Sequence, residues 1–297
     1  MYGYLDFLGA DGTPAGQVEE SVWVGSVIAC NACHNPQAHA LTQVTFPSGI
    51  EVTENTRSAN CMQCHQARAA SPTVERAIAG LELDAVSADL TFINTHYAIA
   101  AATLLGADAQ GGYQYVGKEY VGRFAHVEDY KTCADCHDPH STALNPDTCS
   151  PCHVNVVDRA DLRDIRQSAV DYDGDGDVRE PIAAEISVFH DALYAAIKAY
   201  AANVVVQPIV YGKGTFPYFF NDANANGVAD PDEVNAGNRY ASWTPRLLQA
   251  AYNYQFVMKD PGAYTHNARY ALQLLYDSLE SLGQAVPVTE MGRFTRP

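Results

Sequence analysis

The stretch Cys30-Asn31-Ala32-Cys33-His34 places two thiols and one imidazole within a single short run of the chain. The C-x-x-C-H pattern returns at Cys61-Met62-Gln63-Cys64-His65, Cys133-Ala134-Asp135-Cys136-His137 and Cys149-Ser150-Pro151-Cys152-His153. The four copies use all 8 cysteines of the chain. This pattern is the attachment signature of a c-type haem, in which both thiols become thioethers and the histidine reaches the iron. The sequence therefore predicts four covalently bound haems.

Two other uses of the cysteines explain the pattern less well. Paired C-x-x-C knuckles can bind zinc, and the closely spaced third and fourth copies resemble such a pair. Zinc binding, however, does not require a histidine after every second cysteine, and it leaves the first two copies isolated. Disulfide bonds do not require the histidine either. Haem attachment accounts for all four copies together.

Composition excludes several classes of function. The chain has 297 residues, of which 47% are hydrophobic and 18% charged, so it is not a disordered polar chain. Its formal charge of −17 disfavours nucleic acid and anionic lipid as partners. The longest apolar run, Tyr97 to Leu105, is far shorter than the roughly 20 residues of a membrane span. We expect no membrane-spanning segment.

The compartment follows from the predicted cofactor. Haem attachment through cysteines normally takes place outside the cytoplasm, so we expect an exported protein, periplasmic or extracellular. The first thirty residues show no basic region followed by an apolar core, as a signal peptide would. We therefore expect that the signal peptide is absent from this sequence.

The chain changes character after about residue 160. Residues 1–160 contain all the cysteines and few long periodic segments, which suits a tetrahaem cytochrome c domain whose core is largely porphyrin. Residues 161–297 carry helical patterns and two acidic loops, which predict a small helical bundle with calcium-type loops. The predicted fold class is mostly α with much irregular coil.

Several elements are predicted individually from capping residues and periodicity. Two helices are predicted in the first half of the chain, from Ser71 to Gly80 and from Asn94 or Thr95 to Gly106. A third is predicted over residues 181–202, with a buried face of Ile186, Phe189, Leu193, Ile197 and Tyr200. Two more are predicted from Thr244-Pro245 to Met258 and from Asp260-Pro261 onward, the last with an apolar stripe of Leu272, Leu275, Leu279 and Leu282. Gly111 to Gly122 reads as a hairpin, and Val204 to Phe220 as an irregular insert.

Two loops are candidate calcium sites. Asp222, Asn224, Asn226, Gly227 and Glu233 match the full pattern D-x-[DN]-x-[DN]-G-x5-E, whose oxygen ligands suit a hard cation. The loop with Asp171, Asp173, Asp175 and Asp177 begins in the same way, but its twelfth position is Ile182. Glu180 or Glu185 would then have to supply the missing ligand. The alternative interpretation of both loops is an acidic, solvated turn. We expect two calcium ions.

The second axial ligand of each iron decides between conduction and catalysis. Six histidines lie outside the motifs: His39, His96, His126, His140, His190 and His266. An iron closed by two histidines offers no position for a substrate. The predicted distal ligands are His96, His126, His140 and His266, with His39 in reserve. On a helical wheel His266 lies opposite the leucine stripe, whereas His190 lies at the edge of an apolar face and reads as a core histidine.

Several stretches resemble those of exported multihaem cytochromes from metal-reducing and related microbes. The similar stretches are Val44-Thr45-Phe46-Pro47-Ser48-Gly49, Cys61-Met62-Gln63-Cys64-His65-Gln66, Phe124-Ala125-His126-Val127, Cys136-His137-Asp138-Pro139-His140, Thr244-Pro245-Arg246-Leu247-Leu248 and Tyr276-Asp277-Ser278. This family includes extracellular filaments of stacked haems, in which a histidine of one subunit can ligate a haem of the next. The resemblance implies electron transport and, more specifically, polymerisation. The long half with the calcium-type loops departs from the compact tetrahaem filament pattern.

The sequence thus favours an electron carrier over an enzyme, with copies of itself, redox proteins or extracellular electron acceptors as partners. Two alternatives remain open at this stage. One is a monomeric periplasmic electron shuttle. The other is a multihaem reductase in which one haem keeps an open position.

Overall fold

The computed structural model describes residues 28–96 and 98–297, together with residues 5, 7–10, 12 and 15. This part of the chain is mostly helical, as predicted, with a few short strands. Its α-helices are α1 (Pro36–Ala40), α2 (Thr56–His65), α3 (Ser71–Ile78), α4 (Ala100–Leu105), α5 (Cys133–Cys136), α6 (Pro146–Cys149), α7 (Ile182–Tyr200), α8 (Pro245–Met258), α9 (Ala263–His266) and α10 (Ala268–Gly283). Among the described residues, no helix combines the length and the hydropathy that crossing a membrane requires.

Two antiparallel strand pairs complete the regular structure. Strands β1 (Gln43–Thr45) and β2 (Glu51–Thr53) place Val44 opposite Val52. Strands β3 (Ile209–Tyr211) and β4 (Phe219–Asn221) place Val210 opposite Phe220. The second pair lies inside the predicted irregular insert. Single turns of 3-10 helix lie at Cys30–Ala32, Gly106–Asp108, Asp161–Asp164, Ala236–Asn238 and Thr289–Gly292, and a π-helical turn at Ala201–Val205 follows α7.

The chain divides into two compact units that interleave along the sequence. Unit 1 comprises Met1–Thr45, Glu51–Cys64 and His126–Leu144, and unit 2 comprises Phe46–Ile50, His65–Ala125 and Asn145–Pro297. These units reflect backbone contacts alone. The predicted division into residues 1–160 and 161–297 follows instead from where the haem motifs end, and it stays a prediction.

Unit 1 has a small core of short side chains. Ala38, Ala59 and Met62 are fully buried, and Val44 is 1% exposed. The Asn60 Nδ2 atom donates to the Ala38 carbonyl at 2.8 Å, which fastens α2 to α1. Among the described residues of unit 1, these buried apolar side chains supply the hydrophobic stabilisation.

Unit 2 has a large core built around α8. Every residue from Pro245 to Val257 is buried, because α7 and α10 pack against this helix. The helix begins as predicted, since the Thr244 side chain accepts a hydrogen bond from the Leu247 N–H at 3.2 Å. The predicted helix over residues 181–202 is confirmed as α7, with its predicted apolar face buried. The predicted helix from Ser71 is confirmed as α3.

The predicted helix start at Asn94 or Thr95 is wrong, because the helix begins only at Ala100. His96 has a φ of +79°, in the left-handed region that no α-helix accommodates. The Thr95 N–H donates to the buried Gln255 side chain at 3.1 Å, so α8 fixes this stretch in a non-helical path. Tyr97, which belongs to the predicted helix, lies outside the described residues.

The predicted hairpin from Gly111 to Gly122 is also wrong, because no strand pairing forms within it. Several of its backbone groups bond to side chains of α8 and α10. The Asn253 side chain accepts from the Tyr113 N–H at 2.7 Å and donates to the Tyr113 carbonyl at 3.0 Å. The Tyr270 hydroxyl accepts from the Gly112 N–H at 3.1 Å. These bonds leave no backbone groups for a β-ladder at these residues.

The predicted helix from Asp260-Pro261 is interrupted. A short helix, α9, ends at His266, and α10 starts after Asn267, whose side chain accepts from the Tyr270 N–H at 3.2 Å. The predicted leucine stripe is buried on α10. Because His266 is not on that helix, the helical-wheel argument about its direction does not apply.

Candidate functional site

The four C-x-x-C-H motifs adopt helical turns of similar geometry. The histidine N–H donates to the carbonyl of the first cysteine in the first, third and fourth motifs, at 2.8, 2.8 and 2.9 Å. The second motif forms the end of α2. Residues separated by three or four positions lie on one face of a helical turn. Each motif therefore presents its two thiols and its imidazole on the same side.

The thiols lie where a cofactor could reach them. All 8 cysteines belong to the described residues, and none forms a disulfide bond; five are exposed and three are partly exposed. Cysteine is otherwise among the residue types most often buried. Among the described residues, no three Cys or His side chains converge within 4.8 Å, as a zinc site would require. The thiols are therefore accessible for attachment of a cofactor.

Two motif histidines are held in one orientation by backbone carbonyls. The His65 Nδ1 atom lies 2.7 Å from the Ala98 carbonyl oxygen, and the His137 Nδ1 atom lies 3.0 Å from that of Thr142. A carbonyl only accepts, so Nδ1 carries the proton and Nε2 carries the lone pair. Metal-binding histidines are typically oriented in this way. Both rings thus have the tautomer that binds iron through Nε2.

Within unit 1 the second and third motifs lie side by side. The Cys61 and Cys133 side chains are hydrogen-bonded to each other, and this bond, followed by burial, raises the pKa of the Cys61 thiol. The Cys133 N–H donates to the Ser58 hydroxyl at 3.3 Å. Arg57 lies 3.6 Å from the Asp135 carboxylate. Helices α2 and α5 therefore bring one thiol of each motif together.

The first motif lies beside one predicted distal histidine, His140, and beside the reserve, His39. The His34 and His140 rings have centroids 6.1 Å apart and planes within 10° of parallel. The His39 ring centroid lies 5.9 Å from that of His34, with the planes at 79°. Unit 1 also contains His126, whose ring lies 6.2 Å from that of Tyr130 in an edge-to-face arrangement.

His96 lies in unit 2 on a stretch that is fixed from both sides. The Thr95 carbonyl accepts from the Arg68 N–H at 3.2 Å, and the Asn94 side chain accepts from the His96 N–H at 3.0 Å. Burial, reinforced by the nearby positive charges of Arg68 and Lys259, lowers the pKa of His96. A neutral imidazole is the form that binds a metal.

The last two histidines outside the motifs differ from each other. His190 is half-buried, and its Nε2 atom lies 3.0 Å from the Tyr254 carbonyl, as in a core histidine. The Nδ1 atom of His266 instead lies 2.8 and 2.9 Å from the two carboxylate oxygens of Asp260. Asp260 is a residue that sequence reasoning missed. Its partner is six positions away, a spacing that no regular helix predicts to be a contact.

A cavity lies next to the fourth motif in unit 2. Its volume is about 600 Å³, and its walls include Cys152, His153, Val156, Ile165 and Arg179. This volume falls within the range of about 300–1,000 Å³ that cofactor pockets commonly have. The walls combine apolar side chains with charged ones, namely Asp161, Asp164, Arg166 and Arg179.

The loop from Asp222 to Glu233 is held together by hydrogen bonds among its predicted ligand residues and its backbone. Asp222 accepts from the Asn226 N–H at 3.1 Å and from the Gly227 N–H at 2.8 Å. Glu233 is 5% exposed; its Oε1 atom accepts from the Ala223 N–H at 2.7 Å, whereas its Oε2 atom is buried without a hydrogen-bond partner. Sequence reasoning missed Asp230, at the ninth loop position, which accepts from both asparagine side chains of this loop.

The loop from Asp171 brings three carboxylates together. Oxygen atoms of Asp171, Asp173 and Asp175 lie within 4.8 Å of one another. Burial, together with the negative charges of Asp173 and Asp175, raises the pKa of Glu180 to about 7. Glu185 instead forms an ion pair with Arg166 at 2.7 Å. Of the two acids considered for the missing ligand, Glu185 is therefore the one whose carboxylate forms a close ion pair.

Comparison with known proteins shows similarity to two polyheme cytochromes of one bacterium. The chain is 28% identical over 253 residues to the C-type polyheme cytochrome OmcB of Geobacter sulfurreducens, covering 76% of this chain and 31% of the relative. It is 27% identical over 273 residues to OmcC of the same species, covering 82% and 33%. The chain thus spans about a third of the length of these relatives.

No protein-family model and no solved structure matches the chain. The similarity to the two polyheme cytochromes extends over most of the chain, and both relatives carry covalent haem by name. Together with four helical turns that each present two thiols and an imidazole, it supports a multihaem c-type cytochrome.

Proposed function

We propose that this chain binds four haems c and transfers electrons among them. The observation that carries the proposal is the fourfold repetition of one helical turn with a Cys, Cys and His on its accessible face. In each motif the thiols would hold the porphyrin through thioethers, and the histidine would bind the iron from one side. Haem iron supplies a one-electron redox couple.

The protein would fill both axial positions of each iron with histidines and set the reduction potential of each haem. The proposed distal ligands are His96, His126, His140 and His266, with His39 in reserve. Two imidazoles fill both axial positions, so no site remains for a substrate. The chain would therefore act as an electron carrier and not as an enzyme. The lowered pKa of His96 supports its inclusion, since it favours the neutral ring.

The first haem has the best-defined proposed pair, His34 and His140. Two imidazoles bonded to opposite sides of one metal at about 2 Å have ring centroids about 6 Å apart. The 6.1 Å separation of these rings matches that value. His39 lies at a similar distance, but it is on α1, and a helix rises only about 1.5 Å per residue. The short helical segment after His34 is too compact to pass around a porphyrin edge.

We also propose calcium at the loop formed by Asp222, Asn224, Asn226 and Glu233. A buried carboxylate oxygen without a hydrogen-bond partner costs free energy, unless a cation binds it. The Glu233 Oε2 atom is such an oxygen, at the loop position that normally binds calcium with both oxygens. Oxygen ligands at positions one, three and five complete a set that suits a hard cation.

A second calcium ion is proposed at the loop formed by Asp171, Asp173, Asp175, Asp177 and Glu180. Three convergent carboxylates repel one another without a counter-charge, and a divalent cation would remove that repulsion. Burial, and after it the negative charges of Asp173 and Asp175, raises the pKa of Glu180. Ile182, at the twelfth loop position, is buried and apolar, so the two loops would differ in their ligand sets.

Localisation and assembly form the least direct part of the proposal. We propose an exported chain that passes electrons to redox proteins or extracellular acceptors and polymerises with its own copies. The sequence resemblance to filament-forming cytochromes supports the polymer. Electron micrographs of the purified, haem-loaded protein should show filaments. A field of single particles would contradict polymerisation and leave a monomeric shuttle, without affecting haem binding.

Haem number is tested by mass spectrometry of the denatured full-length protein. Covalent attachment predicts a single species that keeps four haems after denaturation. Replacing Cys149 and Cys152 with alanine should reduce this number to three. An unmodified chain, or one with fewer haems than motifs, would contradict the proposal.

A further inference from the structure

The relationship between Asp260 and His266 distinguishes this histidine from the motif histidines. The Asp260 side chain is 3% exposed, and the His266 side chain is 24% exposed. Both carboxylate oxygens lie within hydrogen-bonding distance of Nδ1, at 2.8 and 2.9 Å. Because a carboxylate accepts, Nδ1 carries the proton and Nε2 carries the lone pair. His266 therefore has the tautomer that an iron ligand needs.

The acceptor is charged at His266 and neutral at two of the motif histidines. His65 and His137 are oriented by backbone carbonyls. A carboxylate is the stronger acceptor, so it increases the basicity of the imidazole more. A more basic axial ligand stabilises ferric iron relative to ferrous iron, because the oxidised metal carries the greater positive charge. The two kinds of partner thus predict different reduction potentials.

The surrounding backbone is shaped for this contact. Gly262 lies against the ring, and a Cβ atom at this position would come within 2.8 Å of Cε1 and 3.1 Å of Nδ1 of His266. The Gly262 N–H also donates to Asp260 Oδ1 at 3.1 Å. The His266 N–H donates to the Gly262 carbonyl at 2.9 Å. The turn that joins α8 to α9 therefore fixes both the carboxylate and the ring.

We propose that Asp260 is a positioning residue that holds the His266 imidazole for iron and lowers the reduction potential of that haem. The proposal rests on the proposed function, since it requires His266 to be a distal ligand. The competing explanation is a purely structural ion pair at the start of α9. Such a pair would affect stability but not the spectrum or the potential of any haem.

Two variants separate these possibilities in the full-length, haem-loaded protein. Asp260→Asn keeps a hydrogen-bond acceptor of the same shape and removes its charge. In a redox titration we expect one haem of the four to move to a higher potential. The electron paramagnetic resonance g-values of that haem should shift, while every iron stays low-spin. Asp191→Asn, which neutralises an exposed acid on α7, should leave all potentials unchanged.

His266→Ala tests the underlying ligation and should convert one haem to a high-spin species. If this variant changes nothing, the ligand assignment fails, and the positioning role fails with it. If His266→Ala opens a haem but Asp260→Asn leaves the potentials and g-values at their wild-type values, only the positioning role is overturned. Gly262→Ala, which displaces the ring without removing the charge, provides a second test if Asp260→Asn does not fold. It should also shift the g-values of one haem.

Discussion

The imidazole rings of His34 and His140 lie with their centroids 6.1 Å apart and their planes within 10° of parallel. His140 belongs to the segment that follows the third motif, so a loop of one motif supplies a ring beside the histidine of another. This arrangement accounts for the position of His140 only three residues after His137, where it could not serve the same haem from the opposite face.

Replacing His140 with alanine should therefore open the first haem. We expect a high-spin ferric signal from one haem in four, because water or no ligand would then fill the sixth position. Electron paramagnetic resonance of the oxidised protein measures this change. His39→Ala, at a similar distance from His34, is the matched control and should leave every haem low-spin. The reverse result would show that His39 is the ligand.

Replacing Glu233 with glutamine should weaken calcium binding at its loop. The variant removes one charged oxygen from the proposed ligand set, and we expect an affinity loss of about tenfold or more. Isothermal titration calorimetry on the haem-loaded protein should show two calcium ions bound by the wild type and one retained at normal affinity by the variant. Asp232→Asn, an exposed neighbour outside the ligand positions, is the control. Equal binding by Glu233→Gln and wild type would rule out this site.

The ion pair of Asp84 with Arg246 should make stability depend on pH. A hydrogen bond from Arg246 lowers the pKa of Asp84 below its unfolded value of 3.8, so the stabilisation is present above pH 4 and disappears as pH falls through the folded pKa. Asp84→Asn should reduce the free energy of unfolding at pH 7 by about 1 kcal/mol, a modest value because Asp84 is 43% exposed.

Thermal unfolding at a series of pH values checks this prediction. The difference between wild type and Asp84→Asn should shrink steadily below pH 4. Asp89→Asn, which removes a nearby exposed charge, should show no such difference at any pH. If the stability difference between wild type and Asp84→Asn stays constant down to pH 2, the charge of the Asp84 carboxylate is not what stabilises the pair.

The bonds between Asn253 and the backbone of Tyr113 should be important for the fold of unit 2. Asn253→Ala would leave a buried N–H and a buried carbonyl of Tyr113 without these partners. We expect a loss of about 2 kcal/mol in the free energy of unfolding. Chemical denaturation measures it, with the exposed Asn203→Ala as a control that should change stability by less than about 0.5 kcal/mol. A loss no greater than that of the control would show that water replaces these bonds.

Local signals in the sequence predicted α7 and α8 of unit 2 well. Thr244 and Pro245 mark the start of α8, and the spacing from Ile186 to Tyr200 gives the buried face of α7. The capping residues and the apolar spacing act over one or two helical turns, so their effect does not depend on contacts with distant residues. The same is true of the motif turns, since each lies within five residues.

What the sequence could not predict depends on contacts between distant residues. The stretch at Thr95 is held by Gln255, and Tyr113 by Asn253, so tertiary bonds replaced the predicted helix start and hairpin. Asp260 pairs with His266 only because the chain turns at Gly262. The short distance between the His34 and His140 rings likewise depends on the tertiary structure of unit 1. Local propensity contains no information about these partners.

The most direct test of the account is electron paramagnetic resonance of the fully oxidised, haem-loaded protein. Four irons that are each closed by two histidines predict low-spin ferric signals from all the haem and no high-spin component. A high-spin signal that integrates to one haem in four would contradict an electron carrier in which every iron has two histidine ligands. It would favour a reductase in which one iron has an open axial position.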